Sequence, residues 1–236
     1  MPMPMPMPMP TPTPMPMPMP MPPPSRSRTA TSFRNDTRLD PGWLAVCVAV
    51  VGLQCLPASI AAALVYDRAA IAAGQAWRVA TGHFVHLGWA HAWLNVACLA
   101  ACAWLAGRDA GGLRTIFTLA CGTGALLWFG APQVERYAGL SGVVYGALAY
   151  VLGAVAGRRM PAWLAAGALA MLEVRVGWQC LYGVPAEETA WLGGPVAPAG
   201  HAAGLIAGVA WAGVTACHAR RRRVRSLGPL RTTGSK

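Results

Sequence analysis

Six long apolar segments occupy most of the chain between residues 43 and 217, and they restrict the fold more than any other feature. They cover residues 43 to about 65, about 83 to 105, 113–129, about 139 to 156, 161 to about 181, and 198 to about 217. A run of about 20 apolar residues can cross the hydrocarbon core of a bilayer as a helix. Because only a helix satisfies its own backbone polar groups in hydrocarbon, each segment should be helical. The sequence predicts an all-α membrane protein, a bundle of six transmembrane helices.

The remaining residues form two polar ends. Residues 1–24 alternate Met and Pro with a Thr-Pro interruption, and proline at every second position blocks helix formation. We predict a disordered, Met-Pro-rich and basic cytoplasmic tail over residues 1–40, the helical domain over 41–218, and a basic cytoplasmic tail over 219–236. The net charge of +11 does not indicate nucleic acid as a partner, because no soluble basic domain is present to bind it.

The positions of Lys and Arg predict the orientation in the bilayer. If the N-terminus is cytoplasmic and six spans alternate, 15 of the 19 Lys and Arg residues lie on the cytoplasmic side and 3 on the other, with Arg175 inside the fifth segment. Cytoplasmic loops of membrane proteins carry an excess of such residues. We therefore expect a multi-pass protein with both termini in the cytoplasm and the lipid bilayer as its surroundings.

A serine and a histidine open two of the predicted helices. Ser141 lies in Gly139-Leu140-Ser141-Gly142 at the start of the fourth segment, and His201 lies at the start of the sixth. Both segments run from the outside to the inside, so the two side chains should lie at similar depth. A lone intramembrane serine often only bonds the backbone or packs. With a histidine at matched depth, however, the serine has a base that could take its proton.

Small residues recur on both of these segments at helical spacing, and such stripes let two backbones approach closely. They are Gly142, Gly146, Ala149 and Gly153 on the fourth segment, and Gly200, Gly204 and Gly208 on the sixth. They could serve packing alone, but they would still bring Ser141 and His201 within reach. Tyr145 follows Ser141 by one turn, where its ring could pack against the imidazole.

The second segment carries further polar residues. His91 and Asn95 are four residues apart and share a helix face. Both side chains can donate hydrogen bonds to the oxyanion of a tetrahedral intermediate. A metal site built from His83, His86 and His91 is the alternative, but no acidic or histidine-rich helix elsewhere completes it. We predict no metal and no cofactor.

Four short motifs in this order resemble those of the rhomboid family of intramembrane serine proteases. They are Trp77-Arg78, His91 through Asn95, Gly139-Leu140-Ser141-Gly142 with Tyr145, and His201-Ala202-Ala203-Gly204 with Gly208. The resemblance covers about residues 43–217. It implies a catalytic dyad, with Ser141 as the nucleophile and His201 as the general base. It also implies an oxyanion or substrate site formed by His91, Asn95, Gly139, Leu140, Gly142, Tyr145 and the backbone amide of Ser141.

Within that family the chain looks most like the rhombosortase branch. Thr81-Gly82-His83 and Leu192-Gly193-Gly194-Pro195-Val196 carry this finer resemblance. It implies that the substrates are single-span membrane proteins with a C-terminal Gly-Gly anchor. The anchor would be removed from secreted proteins at the outer face of the bacterial inner membrane. The alternatives are a protease-dead relative that binds or escorts membrane proteins, and a small transporter or channel.

Two charged residues of the fifth segment depart from the branch, which carries a Glu-containing end to this helix. Glu173 and Arg175 come early in the segment, and Trp178 and Gln179 follow them. Glu173 could orient a catalytic group or a substrate. It could instead extend to the membrane interface or pair with Arg175, although a spacing of two residues does not favour a direct pair on a helix. The sequence leaves the roles of both residues open.

Overall fold

The computed structural model describes Met1, residues 39–107 and residues 111–226. Most of the predicted tail over residues 1–40 and residues 227–236 of the second tail lie outside the described residues. All elements belong to the unit Asp36–Lys236. In chain order they are α1 (Pro41–Gln54), α2 (Ala58–Leu64), β1 (Tyr66–Asp67), α3 (Arg68–Ala72), α4 (Arg78–Thr81), α5 (Trp89–Ala106), α6 (Gly112–Gly130), β2 (Arg136–Tyr137), α7 (Ser141–Val155), α8 (Ala162–Tyr182), α9 (Ala186–Leu192) and α10 (Pro198–Ser226).

Four of these helices are long and apolar enough to cross a membrane, judged by length and composition. They are α5, α6, α8 and the part of α10 that ends at Arg222. Helices α1 and α7 are also apolar but have only 14 and 15 residues. The predicted helical membrane fold is confirmed at this level, while the number of six spans stays a prediction.

The first apolar segment is not one helix, as the sequence analysis expected. Helix α1 ends at Gln54, and α2 starts at Ala58 after Pro57. Proline lacks the amide hydrogen that a continuous helix needs and disfavours helical geometry in the residue before it. The segment is apolar throughout, so its hydropathy does not show the helix break at Pro57.

Two other segments differ from the prediction at one end. Helix α5 starts at Trp89, after an extended Gly88 (φ −170°), whereas the predicted start was about residue 83. The six residues from 83 to 88 form an irregular connection that carries His83 and His86. Helix α10 continues to Ser226, past the predicted boundary at residue 218. Arginine is a good helix former, so the basic sequence extends the helix.

Helix α7 lies at the centre of the bundle. It packs against α5, α6, α8 and α10, and Val143, Ala147 and Val151 are at most 1% exposed. A helix that is apolar on all sides suits such a position. Helix α8 differs, since only Ala165, Val176 and Gln179 of its 21 residues are buried. The first residue of α7 is therefore held by a helix of which 10 of the 15 residues are buried.

A two-stranded antiparallel sheet and one arginine fix the segment that precedes α7. Tyr66 of β1 pairs with Tyr137 of β2. From the residue after β1, the Arg68 guanidinium donates to four carbonyl oxygens at 2.8–3.2 Å, those of Leu127, Trp128, Ala131 and Val134. A basic side chain stabilises the last carbonyls of a helix. Arg68 thus ties the end of α6 to the strand that leads to Ser141.

Candidate active site

The turn before Ser141 depends on a glycine. Gly139 has φ +125°, a backbone conformation that glycine adopts at little cost. A Cβ at this position would also overlap the ring of His91, which packs directly against it. The amide of Gly139 donates to the carbonyl of Gly82 at 3.0 Å. The turn therefore holds Ser141 at the first position of α7 with the His91 ring beside it.

His201 reaches Ser141 from α10. Its Nε2 lies 3.0 Å from the Ser141 Oγ, which is hydrogen-bond distance, and the side chain is 4% exposed. The contact requires a close approach of two backbones. A Cβ on Gly146 would lie only 2.6 Å from the carbonyl oxygen of Gly204. The glycines of α7 and α10 thus allow the two helices to approach until a serine and a histidine meet.

Tyr145 supports one face of the imidazole. Its ring stacks on that of His201, with centroids 4.5 Å apart and an interplanar angle of 25°. Tyr145 follows Ser141 by four residues, so both side chains lie on the same face of α7. The stacking restricts the plane of the His201 ring while its edge points to the serine.

Gln179 of α8 contacts the other nitrogen of the imidazole. Its Oε1 lies 2.7 Å from the Nδ1 of His201, and the side chain is 1% exposed. Gln179 had no role assigned to it from the sequence. The available signal was a carboxamide within an apolar segment, where a polar group is costly and is often functional.

His91 and Asn95 do not occupy equivalent positions. His91 lines the cavity beside Ser141. Asn95 donates from Nδ2 to the carbonyl oxygen of His91 at 2.9 Å and is 4% exposed. It is not among the described residues that line that cavity. The structure therefore brings His91 close to the serine and leaves Asn95 one turn further along α5.

The backbone amides at the start of α7 have distinct partners. The amide of Leu140 donates to the Nε2 of His86 at 3.2 Å, and that of Gly142 donates to the hydroxyl of Tyr137 at 3.1 Å. The amide of Ser141 lies between them, and the first amides of a helix have no acceptor within the helix. The amide of Ser141 is thus suited to receive an anion. From the sequence, His86 was named in the alternative of a metal site, and Tyr137 had no assigned role.

A cavity of about 320 Å³ adjoins the serine. Such a volume lies in the range of ligand pockets, about 300–1,000 Å³. The walls are mostly apolar and come from several loops as well as from α5 and α7. The lining residues are Val65, Leu87, His91, Arg136, Tyr137, Ala138, Ser141, Pro195, Val196 and Ala197. The arrangement can receive an extended peptide next to a hydroxyl group.

The histidines before α5 pack against aromatic rings. Within residues 39–107 and 111–226, no group of three or more His, Cys, Asp or Glu side chains is placed to hold a metal ion. His83 lies edge-on to Tyr137, with centroids 5.2 Å apart, and His86 lies edge-on to His91 at 5.0 Å. The alternative of a histidine metal site therefore has no support from the described residues.

Arg175 pairs with a residue outside its own helix. It donates to both carboxylate oxygens of Glu188 at 2.9 and 3.0 Å and so connects α8 to α9. Glu173 is exposed. Arg175 thus forms its ion pair with Glu188, and the alternative of a pair with Glu173 is not the observed arrangement.

The fold and the site define a multi-pass helical membrane protein in which a buried histidine contacts a partly buried serine. Residues 73–217 match the model of the Rhomboid domain family. The chain belongs to the rhomboid family, as the sequence motifs predicted. Members are generally serine proteases that act on membrane proteins in the bilayer, and the family also includes inactive members. A comparison with curated proteins found no match.

Proposed function

We propose that this chain is an intramembrane serine endopeptidase with Ser141 as the nucleophile and His201 as the general base. The observation that carries the proposal is the 3.0 Å contact between Ser141 Oγ and His201 Nε2. A serine hydroxyl is a weak nucleophile unless a neighbouring base accepts its proton. The cavity beside the hydroxyl provides room for a peptide bond.

The reaction follows the usual order of serine hydrolases. His201 takes the hydroxyl proton while Oγ attacks the scissile carbonyl carbon. The amide of Ser141 and the side chain of His91 stabilise the oxyanion, and Asn95 supports them from one turn away. One donor of this kind lowers the barrier by about 3 kcal/mol. His201 then passes the proton to the leaving amine, and a water molecule hydrolyses the acyl-enzyme by the same steps.

We further propose six membrane spans with both termini in the cytoplasm of a bacterium. The two shorter apolar helices, α1 and α7, supply the spans beyond the four long ones. On this reading the substrates are single-span proteins of the inner membrane. The resemblance of residues 81–83 and 192–196 to the rhombosortase branch supports a C-terminal Gly-Gly anchor as the part removed.

Cleavage by the purified chain in liposomes tests the proposal. The reporter carries a Gly-Gly pair, a transmembrane helix and a basic tail. Ser141→Ala and His201→Ala should each lower kcat/KM by at least about a thousandfold. His218→Ala is the matched control. His218 is exposed near the other end of α10, so this variant should cleave the reporter normally.

The outcomes test the catalytic residues, the protease activity and the Gly-Gly substrate separately. Normal cleavage by Ser141→Ala would contradict the catalytic assignment. Stable binding of the reporter by the wild-type chain without cleavage would favour an inactive escort protein. Equal cleavage of a reporter without the Gly-Gly pair would contradict only the branch assignment.

A further inference from the structure

The side-chain carboxamide of Gln179 is buried, although most residues of its helix, α8, are not. Gln179 is 1% exposed, and the only other buried residues of α8 are Ala165 and Val176. A buried amide destabilises a protein unless it is hydrogen-bonded. The Oε1 of Gln179 bonds the Nδ1 of His201 at 2.7 Å, and the Nε2 has no partner among the described residues. The contact with His201 is therefore the evident reason for an amide at this position.

This contact selects the tautomer of His201. A carbonyl oxygen only accepts hydrogen bonds, so the Nδ1 that faces it must carry the proton. In a neutral imidazole the Nε2 is then the acceptor, and it faces the Ser141 hydroxyl at 3.0 Å. A base needs that arrangement, because an Nε2 that already carries a proton cannot take another from the serine.

The other contacts of His201 cannot make this selection. The Ser141 hydroxyl can donate or accept, so it fits either tautomer. The stacked ring of Tyr145 touches the face of the imidazole and not its nitrogens. Of the three contacts, only the one from Gln179 distinguishes the productive tautomer from the unproductive one.

We propose that Gln179 is a positioning residue that keeps the proton of His201 on Nδ1, so that Ser141, His201 and Gln179 form an amide-completed triad. The proposal rests on the proposed protease function. It adds a third member on α8 to the dyad that α7 and α10 supply. It also makes the ability of His201 to act as a base depend on the position of α8, a helix with only three buried residues.

Two substitutions at one position test this role in the full-length chain in liposomes. Gln179→Leu removes the acceptor at similar volume and should lower kcat about tenfold or more with little change in KM, as expected for loss of a buried neutral hydrogen bond. Gln179→Glu keeps an acceptor oxygen and should restore much of the lost activity. Val176→Ala perturbs packing on the same buried face of α8 and should leave kcat close to that of the wild type.

Nitrogen-15 NMR of the imidazole gives a readout that packing alone would not change. The His201 signal, assigned by its absence in His201→Ala, should show a protonated Nδ1 in the wild type. In Gln179→Leu the proton should no longer be confined to that nitrogen. A wild-type ring protonated on Nε2 would overturn the proposal. Nδ1 would then be an acceptor, and the Gln179 carboxamide would have to face it with its NH2 group instead of its oxygen.

The kinetic outcomes are equally decisive. Wild-type kcat in Gln179→Leu, or an equal loss in Val176→Ala, would overturn the positioning role and leave the proposed function intact. A wild-type chain that cleaves no reporter would contradict the proposed function and the positioning role together.

Discussion

One added methyl group between α7 and α10 should separate the serine from the histidine. In Gly146→Ala the new Cβ would lie 2.6 Å from the carbonyl oxygen of Gly204, whereas an ordinary contact needs at least 3.4 Å. The neighbour is backbone, so no side chain can rotate away. The two helices must therefore move apart by about 0.8 Å, as overpacked cores do at a cost of about 1–3 kcal/mol.

The same movement acts on the catalytic contact. Ser141 and His201 lie on these two helices with 3.0 Å between Oγ and Nε2, so a shift of this size lengthens the contact beyond hydrogen-bond distance. A misplacement of about 1 Å can lower a rate about a hundredfold, which corresponds to about 2.7 kcal/mol in the activation barrier. We expect kcat/KM to fall by that order in Gly146→Ala.

Gly153→Ala is the matched control on the same face of α7. Its Cβ would lie 3.5 Å from the Cβ of Ala212, an ordinary contact. Replacing a mid-helix glycine by alanine can itself stabilise by about 0.5–1 kcal/mol. Both variants are compared by thermal unfolding in detergent and by cleavage in liposomes. Equal kcat/KM in Gly146→Ala and Gly153→Ala would refute the argument from backbone approach.

The contacts of two arginines, Arg68 and Arg175, give further predictions. Arg68→Met should lower the free energy of unfolding by about 2 kcal/mol, because the carbonyls at the end of α6 lose a charged donor. Arg136→Met is the control: the Nε of Arg136 lies 3.7 Å from the Oδ2 of Asp67, and because this pair is at the surface and largely solvated, its loss should change the free energy of unfolding by less than about 1 kcal/mol. Thermal unfolding measures both, and equal shifts would contradict the capping role of Arg68. Glu188→Gln should speed amide hydrogen exchange in α9 by releasing Arg175, with little effect on global stability. Unchanged exchange would show that the ion pair does not hold α9 against α8.

The lengths of the apolar segments predicted the bounds of some helices closely, but they did not predict a helix break that depends on a single residue. The predicted ranges 113–129 and 161–181 agree within one residue at each end with α6 and α8. The expected single helix over residues 43–65 was wrong because Pro57 divides it. Hydropathy averages over a window, so it does not register the loss of one backbone donor.

The candidate site was predictable only where a pattern lies within one segment. The glycine spacing on α7 and α10 indicated a close approach, and matched depth pointed to Ser141 and His201. The contacts of Gln179 and Tyr137 were not predictable in this way. Gln179 meets His201 across 22 residues, and Tyr137 is positioned by pairing with Tyr66 of β1, 71 residues earlier in the chain. No local spacing encodes such contacts, since they depend on how the elements pack.

The shortness of α7 has a consequence for the peptide that is cut. Its 15 residues measure about 22 Å at 1.5 Å per residue, less than a hydrocarbon layer of about 30 Å. On the proposed topology, Arg158 and Arg159 at its far end favour the headgroups there, and the Ser141 hydroxyl then lies below the opposite membrane surface. A carbonyl within an intact substrate helix is already engaged by an amide four residues on. The substrate helix must therefore unwind locally before it can be attacked. If the chain has the proposed function, it would prefer substrates whose membrane segment unwinds readily. Each glycine in that segment would lower the free energy of unwinding by about 1 kcal/mol.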